Sequence, residues 1–238
     1  MKGGRWVLDV GNSRIKFASL AQDGALHVMH DDAAYALAVE LEPEVVLMAS
    51  SGALPERWMQ LCARWGDRCV QLGSPSEEVL PSDYVPVESL GWDRVANALA
   101  VPAAGSWAIV DAGTCITCDL VVNGRFLGGS IAPGILMRLH AMHAGTARLP
   151  EVARELALQA ASSLGTSTLG SMAAGAVHGA RLEISGRIRE WSQHYPDLQT
   201  VLTGGDAVEL GLNDSVRIFA DPEHTLKGYH VLLNRLKP

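Results

Sequence analysis

Several things are scarce in this chain of 238 residues. It has only 3 Phe and 4 Tyr, no block of Lys or Arg, and no uninterrupted apolar run of membrane length. The most apolar stretch, 95–110, is broken by Asn97, Pro102 and Gly105. It falls short of the roughly 20 apolar residues a membrane helix needs, so no membrane association is expected. The opening MKGGRWVLDVGN places Asp9 where an apolar secretion signal would have to continue, which leaves the cytoplasm as the expected location. A formal charge of −7 and a pI near 5.6 give no electrostatic footprint for a nucleic-acid backbone. Neither G-x-x-x-x-G-K-[S/T] nor G-x-G-x-x-G occurs, so a P-loop and a dinucleotide fingerprint drop out. The eight histidines form no H-E-x-x-H or other close metal set. Four cysteines include Cys115-Ile-Thr-Cys118, the spacing of a redox or zinc half-site. Residues 115–122 read as a strand, however, where positions three apart face opposite ways, and Cys62 and Cys69 supply no second pair. The cysteines are therefore read as buried apolar residues.

What the chain does have is apolar content, 48%, enough for real cores, and 24 glycines. Glycine accepts positive φ and lets a ligand approach the main chain, so its clusters mark candidate binding loops.

Apolar runs at 5–10, 15–20 and 26–30, separated by turn residues, predict an opening meander of strands. A buried strand at 45–50, a helix over 55–65, a short strand at 70–72 and a helix over 94–100, ended by Pro102, follow. The pattern then restarts. Strands are expected at 107–111, 115–122 and 125–131, the last two joined by the hairpin signal Asn123-Gly124. Helices over 133–143 and 167–191, a strand at 200–202, a helix from about Ala207 and a terminal helix over 225–236 complete the chain. Asp9-Val-Gly-Asn and Asp111-Ala-Gly-Thr both end an apolar strand and lie 102 residues apart. The expectation is two similar α/β halves, 1–104 and 105–238, with the active site in the cleft between them.

A strand ending in Asp, then Gly and a small polar residue, then a second strand, makes a hairpin whose tip offers backbone N–H groups to phosphate oxygens. Asn12, Ser13 and Thr114 add side-chain donors, and Lys16 adds a charge. Asp9 and Asp111 stand where a cation neutralising polyphosphate is held. Gly128-Gly129-Ser-Ile-Ala-Pro-Gly134 and Thr203-Gly204-Gly205-Asp206-Ala207 each join a strand to a helix, which suits a phosphate or a flat ligand. In Gly91-Trp-Asp93-Arg94, Asp93 is either a helix cap or the base that phosphoryl transfer to an alcohol requires. Arg94 suits an anionic or polyhydroxy substrate.

Taken in order, D-V-G-N-S-x-x-K (9–16), G-W-D-R-V-A-N-A (91–98), D-A-G-T-x-x-T-x-D (111–119), G-G-S-I-A-P-G (128–134), G-T-S-T (165–168) and T-G-G-D-A (203–207) resemble the type III pantothenate kinases. The resemblance covers nearly the whole chain. It implies two ribonuclease H-like (actin-like ATPase) domains, each a mixed sheet flanked by helices. It also implies ATP-dependent phosphorylation of pantothenate, the first step of coenzyme A synthesis. Carried over by residue, Asp9, Val10, Gly11, Asn12, Ser13, Arg14, Ile15, Lys16 and Thr114 would contact ATP. Asp93 would take the proton of the pantothenate hydroxyl, and Tyr84, Gly91, Trp92 and Arg94 would line the substrate pocket. Asp111 would ligate K⁺ or NH₄⁺, with Mg²⁺ accompanying ATP. Thr168 would reach pantothenate from the neighbouring subunit of a homodimer. Where the family commonly has Gly-Lys-x-Thr this chain has Gly165-Thr-Ser-Thr168, which leaves Thr166 and Thr168 both as candidates. An accessory protein acting by protein contacts and a kinase for another small alcohol are the alternatives.

Overall fold

A computed structural model describes residues 3–11, 14–21, 25–212 and 218–237. The chain divides into two compact units, 1–102 with 223–238, and 103–222.

In the first unit, β1 (Arg5–Val10), β2 (Ile15–Leu20), β3 (Leu26–His30), β4 (Val45–Ser50) and β5 (Cys69–Gln71) form one sheet in the order β3-β2-β1-β4-β5. β1 pairs antiparallel with β2 and parallel with β4. Alternation along β1 sorts the two faces. Trp6, Leu8 and Val10 pack with Phe17 against helices α1 (Asp31–Glu40) and α2 (Glu56–Trp65). Val7 packs with Ala18, Leu47 and Ala49 against helix α3 (Trp92–Ala100) and the final helix. The scarce aromatic residues concentrate on the first face. Phe17 stacks on Trp6 with centroids 4.6 Å apart and lies 6.0 Å from both Trp58 and Trp65.

In the second unit, β6 (Ser106–Ala112), β7 (Cys115–Val122), β8 (Arg125–Pro133), β9 (Gln199–Thr203) and β10 (Ile218–Ala220) have the order β10-β9-β6-β7-β8. Read from the other edge this is the first sheet's order, with the same parallel and antiparallel pairings. The duplication seen in two short motifs thus extends to whole-sheet topology. Asn123 (φ 49°) and Gly124 (φ 75°) make the tight β7–β8 turn that their sequence predicts. Helices α4 (Ile135–Ala144), α5 (Arg154–Ala160), α6 (Thr168–Ala173), α7 (Gly179–His194) and α8 (Ala207–Leu210) follow, with a π-helical turn, Ala174–His178, joining α6 to α7. Ala108, Val110, Ala112, Ile116, Cys118 and Leu120 share one core with α4 to α8.

Helix α9 (His224–Leu236) was expected in the second half and instead belongs to the first unit. Its stripe Leu226, Tyr229, Leu232 and Leu233 covers the sheet face that α3 alone leaves half open. Arg5 ties it further, donating to the Leu233 carbonyl at 3.1 Å. Helices α1 and α5 and strand β10 are additional to the predicted elements. Residues 22–24, between the second and third of the expected strands, lie outside the described residues. Among the described residues no helix is long and apolar enough to cross a membrane.

Candidate active site

Asp9 is the penultimate residue of β1 and lies directly opposite Lys16 on β2, so the two side chains share the sheet face that carries Val7. The hairpin is closed by the Gly11 amide donating to the Arg14 carbonyl at 3.0 Å, beside the Val10–Ile15 pair. The Val10 carbonyl accepts from the amides of Ser51 and Gly52, which pins the end of β1 to the end of β4. The Ile15 amide donates to Oδ1 of Asp31 at 3.0 Å. Asp31 holds φ at 49°, a region non-glycine residues rarely occupy. Asn12 and Ser13, expected to contact ATP, lie outside the described residues.

Gly91 precedes helix α3, whose first turn carries Trp92 and Asp93. The Trp92 indole donates to the Gly73 carbonyl at 2.7 Å. Oδ1 of Asp93 accepts the Arg94 amide at 2.9 Å, so the carboxylate folds back over Gly91, where a Cβ would overlap it. Asp93 thus satisfies a first-turn amide and also faces open space. A cavity of about 240 Å³ is lined by Gly91, Trp92 and Asp93 together with Ser51, Ser74 and Glu88. Ser50, Gly73 and Tyr229 line it as well. Arg94 and Tyr84 are not among its lining residues. Arg94 is 4% exposed, and its guanidinium carbon sits 5.4 Å from the centre of the Tyr84 ring.

The serines, Glu88 and Tyr229 were not anticipated. Ser50 ends β4 and Ser51 follows it, β4 runs parallel to β1, and ligands of such sheets gather at the carboxyl ends of strands. That rule was the available signal. Tyr229 had none, because its place depends on α9 returning to this unit.

In the second unit Asp111 occupies on β6 the place of Asp9 on β1 and pairs in register with Thr203 of β9. The hairpin closes more tightly than the first, with the Gly113 amide donating to the Cys115 carbonyl at 2.9 Å. Gly134 packs against this tip, its amide donating to the Thr114 carbonyl at 3.1 Å. A Cβ there would overlap the carbonyls of Gly113 and Thr114. Gly204 has φ 94°, and a Cβ would meet the Ala112 carbonyl and, at 2.5 Å, Oδ1 of Asp111. Glycine is therefore required at both places by the approach of two backbones. One carboxylate beside strand-end carbonyls is a donor set suited to a hard cation of low charge. Among the described residues no group of three His, Cys, Asp or Glu is placed to hold a metal ion. Thr166 and Thr168 are both exposed, and Ser167 caps α6 by accepting the Gly170 amide at 3.0 Å. Cys118 is buried and Cys115 faces the other way, and burial pushes the Cys118 thiol up to about 12.

Two five-stranded mixed sheets of one topology, each with an acid-glycine hairpin on its first strand, define a duplicated α/β fold. Solved structures agree at the level of fold. A conserved Baf family protein from Campylobacter jejuni aligns with a TM-score of 0.62 at 21% identity, covering 97% of this chain and 98% of that one. A ROK family glucokinase from Streptomyces griseus, in complex with glucose and AMPPNP, aligns with a TM-score of 0.53 at 10% identity, covering 98% and 100%. The chain belongs to the type III pantothenate kinase family, whose sequence model matches residues 6–190. It is 31% identical over 237 residues to a type III pantothenate kinase from Bacteroides fragilis (strain YCH46), 96% of each chain being covered.

Proposed function

We propose that the ATP-dependent phosphorylation of pantothenate, the family's step in coenzyme A synthesis, runs in this chain through Asp93 as acceptor of the hydroxyl proton. The observation that carries this is the placing of the Asp93 carboxylate on the wall of a cavity of about 240 Å³. Its Oδ1 is engaged by the Arg94 amide, which fixes the rotamer and leaves Oδ2 for the substrate hydroxyl. Gly91 and Trp92 border the same space, and the Trp92 indole, tied to Gly73, holds that wall in place. The buried Arg94 guanidinium lies over the half-buried Tyr84 ring and supports the helix start, and it is the nearby counter-charge for an anionic substrate.

ATP is assigned to the hairpin from Asp9 to Lys16 and to Thr114. The closed turn at Gly11 and the Asp9–Lys16 pair support this reading. A kinase family that uses ATP implies a divalent metal, and Mg²⁺ carried on the phosphates supplies neutralisation of their charge. Asp111 is assigned a monovalent cation, K⁺ or NH₄⁺, on the strength of its single carboxylate and the strand-end carbonyls beside it. Thr168 is assigned to pantothenate across a homodimer. Apolar side chains exposed on β8 (Ile131), α4 (Leu136, Met137) and α7 (Leu182) support self-association.

The test is ADP release from ATP, Mg²⁺ and K⁺ with and without pantothenate. Pantothenate-dependent ADP is expected. Folded protein that releases ADP only with other alcohols, or with none, defeats the assignment.

A further inference from the structure

Arg154, the first residue of α5, reaches across to the Thr203-Gly-Gly-Asp-Ala207 turn. Its Nε donates to Oδ1 of Asp206 at 2.7 Å, and its Nη2 reaches Oε1 of Glu209 at 3.3 Å and the Gly205 carbonyl at 3.5 Å. The Arg154 and Asp206 side chains are 22% and 10% exposed, so the pair is shielded from the screening that weakens surface ion pairs. Asp206 stands at the position preceding α8, where a carboxylate ordinarily caps its own helix, yet it makes no such bond and is given to Arg154. The same residue's amide donates to the Ala112 carbonyl at 2.8 Å, next to Asp111. Two residues earlier Gly204 lies so close to Oδ1 of Asp111 that no side chain fits between them. A continuous set of contacts therefore runs from Arg154 through Asp206 and Gly204 to the Asp111 carboxylate.

We infer that Arg154 is a positioning residue for the nucleotide and cation groups of this unit. It holds the glycine turn against the end of β6 and so fixes where the Asp111 carboxylate and the backbone of the turn lie. Arg154 itself touches neither substrate nor cation in this role. Its guanidinium fork engages Asp206, Glu209 and a turn carbonyl at once, which a lysine point charge does not do. This inference rests on the assignment of ATP and a cation to the glycine hairpins. Supporting partners of this kind, when removed, ordinarily cost about ten- to a hundredfold in affinity or activity while leaving the contacting groups in place.

The experiment measures, in wild-type protein and in Arg154→Met and Arg154→Lys, three quantities: calorimetric affinity for a non-hydrolysable ATP analogue with Mg²⁺ and K⁺, the KM for ATP, and kcat. The Met variant is expected to bind the analogue about tenfold more weakly and to raise KM in proportion, with kcat at saturation within about twofold, while the Lys variant falls between. A double-mutant cycle with Asp206→Asn is expected to be non-additive. If the Met variant does not fold, the Lys variant carries the comparison. A lowered Tm with unchanged analogue affinity and KM in the variants shows a merely structural role and overturns the inference alone. Wild-type protein that binds no analogue overturns the nucleotide assignment and this inference with it.

Discussion

Gly228 of α9 lies against Ala96 of α3 so closely that a Cβ on the glycine would overlap the Ala96 carbonyl and its carbon. The contact sits beneath the helix whose first turn carries Asp93. It makes the pairing of the C-terminal helix with the first unit a matter of backbone fit as well as apolar burial.

Gly228→Ala is therefore expected to cost about 2 to 3 kcal/mol, because backbone must move to accept the methyl. Gly186, in the interior of α7, has nothing within 4 Å of its would-be Cβ. Gly186→Ala is expected to stabilise by about 0.5 to 1 kcal/mol through helix propensity. Denaturant unfolding of the two variants checks the opposite signs.

His230 on α9 is 3% exposed, with its Nε2 unpartnered, and its pKa is lowered to about 4, first by burial and then by the charge of Arg5. The folded state holds this imidazole neutral while the unfolded chain titrates near 6.5. The unfolded chain thus binds the extra proton between those values. Its contribution is complete above pH 6.5 and is lost as pH falls toward 4, by roughly 3 kcal/mol in all. His230→Leu is expected to flatten stability against pH over that window relative to wild type, as read from urea midpoints at fixed pH steps. Parallel curves for the two proteins would contradict the assignment.

Asp31 combines a positive φ with acceptance of the Ile15 amide. Asp31→Asn keeps an acceptor and tolerates that backbone, so its stability is expected within about 0.5 kcal/mol of wild type, whereas Asp31→Ala loses both and is expected to cost about 1 to 2 kcal/mol. Thermal unfolding of the pair separates the two outcomes.

The strands were legible because β1, β2, β6 and β7 alternate or run apolar and are bounded by glycine turns, and the repeat of Asp9 in Asp111 announced the duplication. Helix α1 was not, since Asp31 follows β3 with no Gly or Pro between them. The break in the chain is made by the Asp31 backbone itself, a conformation with no composition signal. Helix α5 begins at Arg154, whose partners in and beside the glycine turn are over fifty residues away in sequence, so nothing local marks that contact. Gly91, Trp92 and Asp93, which line the cavity, are candidates on their own motif. Ser51, Ser74 and Tyr229 come to the same cavity from β4, the segment after β5, and α9. Only the parallel crossovers and the return of α9 bring them together, and those are properties of the whole sheet rather than of any segment.

The most direct test is the rate at which Asp93→Asn forms phosphorylated pantothenate, read beside its affinity for a non-hydrolysable ATP analogue. The amide keeps an oxygen for the Arg94 amide but accepts no proton, so kcat is expected to fall by about 10² to 10⁴ with analogue affinity within about twofold. Folded Asp93→Asn protein that turns over within a few fold of wild type would contradict the account.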